Sequence, residues 1–130
     1  MTDIKPGDIA SLVFRRTDAN HYYAFGLMSN DLFQVKKYNS GSYPIVIPFT
    51  KSEHLQYGTY NTLAIIGIDS EFQFFINGYC VGKMSDSDFT SGNIGFHGEL
   101  AKSGDVLKFE VRNAELRFPQ KVSDDSCPDN

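Results

Sequence analysis

Asn77 and Gly78 stand between two apolar runs, Phe72-Gln73-Phe74-Phe75-Ile76 and Tyr79-Cys80-Val81. A two-residue connection matches the right-handed twist of its flanking strands best as a type I′ turn. That turn needs φ > 0 at both central positions, which Asn-Gly reaches at least cost. The pair commits this stretch to a β-hairpin. The same period of two runs through the chain. Residues 9–16 (IASLVFRR) read as a strand with Leu12 and Phe14 on one face and Val13 and Arg15 on the other. After the polar turn 17–20, residues 21–28 (HYYAFGLM) and 32–38 (LFQVKKY) follow as strands, separated by Asn30-Asp31. Pro44 and Pro48 cannot donate to a ladder, so 43–49 is expected at a sheet edge or as an irregular strand. Residues 51–58 read as a loop, and 59–68, 72–77, 92–99 and 106–118 complete the strand set. Phe89, in the polar loop 85–90, is expected to plug an end of the molecule. No amphipathic helix of useful length is found.

Many short strands with regular turn signals mean an all-β, antiparallel two-sheet sandwich. With 130 residues the chain is long enough for a single core. We expect one domain over 1–118 and a disordered polar tail over 119–130. Net charge is −4, which argues against a nucleic-acid partner, since phosphate neutralisation needs a basic patch. No apolar run approaches the length that spans a membrane. The opening MTDIKPGD is polar and carries no signal-peptide pattern. For the two cysteines, an inert buried thiol at Cys80 and a free tail thiol at Cys127 is the leading expectation. A disulfide is the alternative in an oxidising compartment.

The run FQFFINGYCVGKMSDSDFTSGNIGF resembles the strand–turn–strand–loop–strand pattern of concanavalin A-like jelly-roll sandwiches, the superfamily of legume lectins and laminin G-like modules. Leu12-Val13-Phe14-Arg15-Arg16, Asp18, Asn20 and Tyr22 to Gly26 resemble a segment of a bacterial branch, as do 32–38, Asn61-Thr62-Leu63 and the closing 108–116. The likeness runs from about residue 9 to 117 and implies a jelly-roll of roughly eight to ten strands. Such domains have several strands before the Leu12–Arg16 segment, whereas eight residues precede Ile9 here. An open sheet edge invites pairing, so a homodimer or a partner chain is expected along it.

Glycoside hydrolysis needs two carboxylates facing across the scissile bond. Asp69 and Glu71 sit at a turn, and Glu110 and Glu115 flank the closing strand without a third acid at the family spacing, so no enzyme is expected. Asp86 and Asp88 are candidate calcium ligands by their oxygen chemistry, against the plainer reading that acids in turns bond local backbone. No other cofactor is indicated, and His21, His54 and His97 lie in separate segments. Sugar sites combine aromatic faces with amides and hydroxyls. The sequence offers Tyr22, Tyr38, Tyr43, Tyr60 and Tyr79 with Asn20, Asn39, Gln73 and Asn77, against the reading that the tyrosines cover edges and the asparagines make turns. Of these, Tyr22, Tyr38, Gln73, Asn20 and Asn77 are the ligand-binding candidates. The leading expectation is a non-catalytic carbohydrate-binding module of a larger extracellular or cell-surface protein, with a glycan as partner. A structural or protein-interaction domain comes second and a glycosidase last.

Overall fold

The computed structural model describes residues 9–28, 31–56, 60–99 and 127. They form eight strands: β1 (Ile9–Asp18), β2 (His21–Met28), β3 (Leu32–Asn39), β4 (Ile45–Lys51), β5 (Leu63–Ile68), β6 (Glu71–Ile76), β7 (Tyr79–Ser85) and β8 (Asn93–Glu99). One antiparallel sheet has the order β4-β3-β2-β1-β8 and the other β5-β6-β7. The all-β two-sheet expectation therefore holds, and β4, which carries Pro48, is an outer strand among the described residues, as expected. Among the described residues no helix is long and apolar enough to cross a membrane. The expected closing strand at 106–118 and the tail lie outside the described residues, apart from Cys127.

Alternation delivers one face of each sheet to a shared core. Phe14, Tyr23, Phe25, Leu27, Phe33, Val35 and Ile47 from the larger sheet meet Phe72, Phe74, Ile76, Val81 and Met84 from the smaller. Phe14 packs against Tyr23, Phe72 and Phe74 at ring separations of 5.2, 5.5 and 5.8 Å. Each fully buried ring contributes about 2–3 kcal/mol by burial, and the tilted ring pairs add to that. Phe89 closes the core at the end that carries the β1–β2 and β5–β6 turns, as expected. This is termed the near end.

Asn77 and Gly78 have φ of 50° and 87°, so the hairpin turn forms where the sequence placed it. Asn77 does more than turn the chain. Its Nδ2 donates to the His54 carbonyl at 2.7 Å, and its Oδ1 accepts from the Thr62 amide at 2.9 Å. Asn61 is spent in the same network, on Gln56 and Asn77. The Asn77 amide also donates to the Thr62 carbonyl at 2.8 Å. Of the expected 59–68 strand, residue 59 lies outside the described residues and β5 spans Leu63–Ile68.

Two expectations are corrected. Arg15 does not share a face with Val13, because the β1 ladder is interrupted between Phe14 and Asp18 and Arg15 takes a φ of 50°. This bulge turns the side chain toward the smaller sheet, where Nη1 donates to the carbonyls of Asp69 and Phe89. The free-thiol expectation also fails. Cys80 and Cys127 form a disulfide with Cα atoms 5.0 Å apart, and Cys127 is buried. Closing a loop across a separation of 47 residues stabilises by about 4 kcal/mol in the chain-entropy treatment.

Gly92 seats the bulge. Its φ is 149°, and a Cβ there would lie 2.6 and 2.7 Å from the Arg16 N and O and closer still to the Arg15 carbonyl carbon. Backbone on both sides cannot yield. Gly95, three residues on and within β8, faces open space. Gly92→Ala is expected to cost at least about 2 kcal/mol, seen by circular dichroism as a melt lowered by roughly 6–12 °C. Gly95→Ala should melt within about 2 °C of the parent. Equal melts for the two variants would contradict this account of the bulge.

Candidate functional site

The outer face of the larger sheet collects aromatic side chains at the near end. Because Tyr23 and Lys37 point inward, their neighbours Tyr22 and Tyr38 point outward, and register sets them directly opposite each other. Their rings stack at 4.4 Å with 18° between planes. Tyr22 is buried beside Val13 and Ala24, with Tyr38 packed against that cluster. Tyr43 stands edge-on to Tyr38 at 4.8 Å and is 60% exposed. The His97 ring lies 6.2 Å from Tyr22 and 6.1 Å from Tyr38, and the Lys36 ammonium is 5.6 Å from the Tyr38 ring centre. Gln34, on the same face by alternation, is buried with its Oε1 unbonded among the described residues. The patch thus offers stacked and edge-on rings, a cation, an imidazole and an acceptor short of a donor.

Of the residues singled out by sequence, Tyr22 and Tyr38 come together here. Asn20 is close along the chain and builds the β1–β2 turn: its amide donates to Asp18 Oδ1 at 2.7 Å and its carbonyl accepts from Ser40 at 2.9 Å. Gln73 is buried in mid-strand on the smaller sheet, opposite Ile66 and Lys83. Asn77 is at the far end, committed to the loop network already described. Tyr43, from the wider set of tyrosines, joins Tyr22 and Tyr38, and the structure adds Lys36, Gln34 and His97. Lys36 and Gln34 were accessible from the alternation that places them on the Tyr38 face. His97 arrives from β8, across β1, and has no local signal.

Asp86 and Asp88 are bound to an ammonium. Lys37 Nζ lies 2.8 Å from Asp86 Oδ2 and 2.6 Å from Asp88 Oδ2. The Tyr23 hydroxyl donates to Asp86 Oδ1 at 2.5 Å and accepts from the Phe89 amide at 3.2 Å. Among the described residues no group of three or more His, Cys, Asp or Glu is placed to hold a metal ion. Burial works to raise the Asp86 pKa, and the hydrogen bonds from Lys37 and Tyr23 outweigh it, leaving it below the usual carboxylate range. Burial likewise pushes Lys37 down, and its two carboxylates carry it above the ordinary lysine value. Tyr23 is raised, by burial first and by the Asp86 bond second. Asp18, at the turn, is lowered by the Asn20 amide and then by His21. The network is a clamp that fixes the 86–89 loop to β2 and β3.

An antiparallel sandwich of five-stranded and three-stranded sheets, with an aromatic patch outside the larger one, defines the class of fold. No family model matches the sequence, and no curated protein matches it. Among solved structures, the chain is similar to the carbohydrate binding module CBM66 from Bacillus subtilis, with a TM-score of 0.61 and 22% identity. The likeness covers 74% of this chain and 61% of that one, so the chain spans about three-fifths of its length. It is also similar to sheep galectin-11 in complex with glycerol, at a TM-score of 0.57 and 14% identity, over 75% of this chain and 76% of that one. At these identities the likeness is one of fold.

The clamp sets a pH window. Asp86 is depressed in the folded state, so its contribution is present above the unfolded value near 4 and is lost as pH falls through the folded one. Lys37 and Tyr23 are raised, so their contributions are present below about pH 10 and are lost as pH rises through the folded values. Lys37→Met leaves two neighbouring carboxylates without their cation. It should cost about 2–3 kcal/mol, under the range for fully buried pairs because Asp88 is half-exposed. Urea titrations across pH 3 to 7 test this. The parent should lose stability toward pH 3 more steeply than the variant, and parallel curves would contradict the clamp.

Proposed function

We propose that the chain is a non-catalytic recognition module for carbohydrate, a concanavalin A-like jelly-roll working outside the cytoplasm as part of a larger protein. The observation that carries the reading is the Tyr22–Tyr38–Tyr43 cluster, with Lys36 and His97 beside it, on the outer face of the larger sheet. Sugar rings present apolar C–H faces and a rim of hydroxyls, and this patch offers ring surface bordered by hydrogen-bonding groups. The shared fold with a carbohydrate binding module supports the reading as analogy. The Cys80–Cys127 disulfide supports an oxidising compartment. Against catalysis, Asp86 and Asp88 share one ammonium and Glu71 accepts from Ser85 at 2.7 Å, so these acids are neither paired across a cleft nor free for acid–base work.

A protein-interaction role is the second reading. It is favoured by Ile94 and Phe96, 44% and 47% exposed on β8, and by Ile45 and Phe49 exposed on β4, the two outer strands of the larger sheet among the described residues. A homodimer or a partner chain along such an edge would cover them.

A glycan array of the purified chain, with calcium and chelator arms, separates the two. Binding confined to one sugar class and equal in both arms is expected. Tyr43→Ala, on an exposed ring, should weaken it about threefold to tenfold without lowering the melt. A blank array from folded protein, with a dimer by light scattering, would overturn the carbohydrate reading in favour of the second.

A further inference from the structure

At the near end an open cleft of about 470 Å³ lies behind the rim that carries the aromatic patch. Its size falls within the range of small-molecule sites. Thr17 and His21 form one wall, Asn39 another, and residues 88–91 the third. His21 and Asn39 are paired across β2 and β3 and directly precede and follow Tyr22 and Tyr38. Alternation therefore sets cleft and patch on opposite faces of the same two strands.

The cleft is rigid where a ligand would rest. Phe89, buried and part of the core, forms its floor. Its amide donates to the Tyr23 hydroxyl, and its carbonyl accepts from Arg15 at 3.1 Å. The His21 ring meets Phe89 edge-on at 5.9 Å and is fixed at both nitrogens, by Asp18 at 2.7 Å and Ser40 at 2.8 Å. Walls held this way cost little further ordering on binding.

The rim has the opposite character. The side chains of Thr17, Asn39, Thr90 and Ser91 make no hydrogen bond within the described residues. Three hydroxyls and an amide are thus unspent around an aromatic floor. The cations nearby are spent: Lys37 on two carboxylates, Arg15 on two carbonyls. In the lining, His21 is engaged at both nitrogens by Asp18 and Ser40, and Asp88 would repel a phosphate, sulfate or uronate.

We propose that this cleft is a second recognition site of the module, taking one neutral sugar unit, with its C–H face toward Phe89 and its hydroxyls on Asn39, Thr90 and Asp88. The inference rests on the carbohydrate reading of the chain. It is tested by titrating the full isotope-labelled chain with a panel of neutral, sulfated and uronic methyl glycosides at millimolar concentration while following backbone amide shifts. Amides of Asn39 and of 89–91 should move, and the Asn39→Ala, Thr90→Val double variant should weaken that response at least about fivefold. Thr90→Val alone, in an exposed loop, serves should the double variant fail to fold. Tyr43→Ala should leave the cleft response within about twofold of the parent. Shifts confined to the Tyr38–Tyr43 region, with the cleft variants binding as the parent does, would overturn the cleft and leave the carbohydrate reading standing. Tighter cleft binding of a sulfated or uronic glycoside would overturn the ligand class. No response to any glycoside, with a blank glycan array, would overturn cleft and reading together.

Discussion

The Arg15 guanidinium leaves a bulge in β1, lies 4.4 Å over the Phe72 ring, and donates to carbonyls in the β5–β6 turn and in the loop after β7. One cation thereby ties the larger sheet to the smaller and to the loop that walls the near end. A charge in such a place is tolerated because each of its contacts offers negative potential: two carbonyl oxygens and an aromatic face. The Tyr23–Asp86–Lys37 clamp does parallel work from the neighbouring strands. Gly92 leaves room for the bulge, and the bulge aims Arg15. Phe89 is the meeting point, held at its amide by one network and at its carbonyl by the other.

That coupling explains how a chain with no tryptophan and a sandwich of modest area can hold a defined surface. The aromatic core supplies the bulk of the stabilisation by burial, which is non-directional. The polar tethers supply position. Buried polar networks of this kind are strong only when complete, so the near end is fixed to the degree that Asp86, Lys37 and Tyr23 keep their protonation states.

Much of the fold is legible in the residue order, for an identifiable reason. The turn at Asn77–Gly78 and the alternation of 21–28 are local properties, and β2 spans His21–Met28 as read. Pro48 marked β4 as an outer strand among the described residues. What failed involved contacts distant in sequence. The inward turn of Arg15 depends on a bulge that only Gly92 accommodates, more than 70 residues away. The Cys80–Cys127 bond joins residues 47 apart, and Lys37 meets Asp86 and Asp88 from about 50 residues upstream. The site was half legible on the same grounds. Tyr22 and Tyr38 share a hairpin register and are opposed by it, whereas His97 and the cleft behind the rim arise only once β8 and the 88–91 loop are in place.

On this account the near end of the larger sheet is a preformed, aromatic and hydroxyl-rich recognition surface, with Lys36 beside the patch and Asp88 in the cleft. That central claim is tested most directly by a crystal structure of the chain with the oligosaccharide that binds best on the array. The account predicts a sugar ring against the Tyr38–Tyr43 surface or over Phe89, with the Asp86–Lys37–Asp88 contacts unchanged. A sugar bound on the outer face of the smaller sheet, around Gln73, or one that displaces Lys37 from its carboxylates, would contradict it.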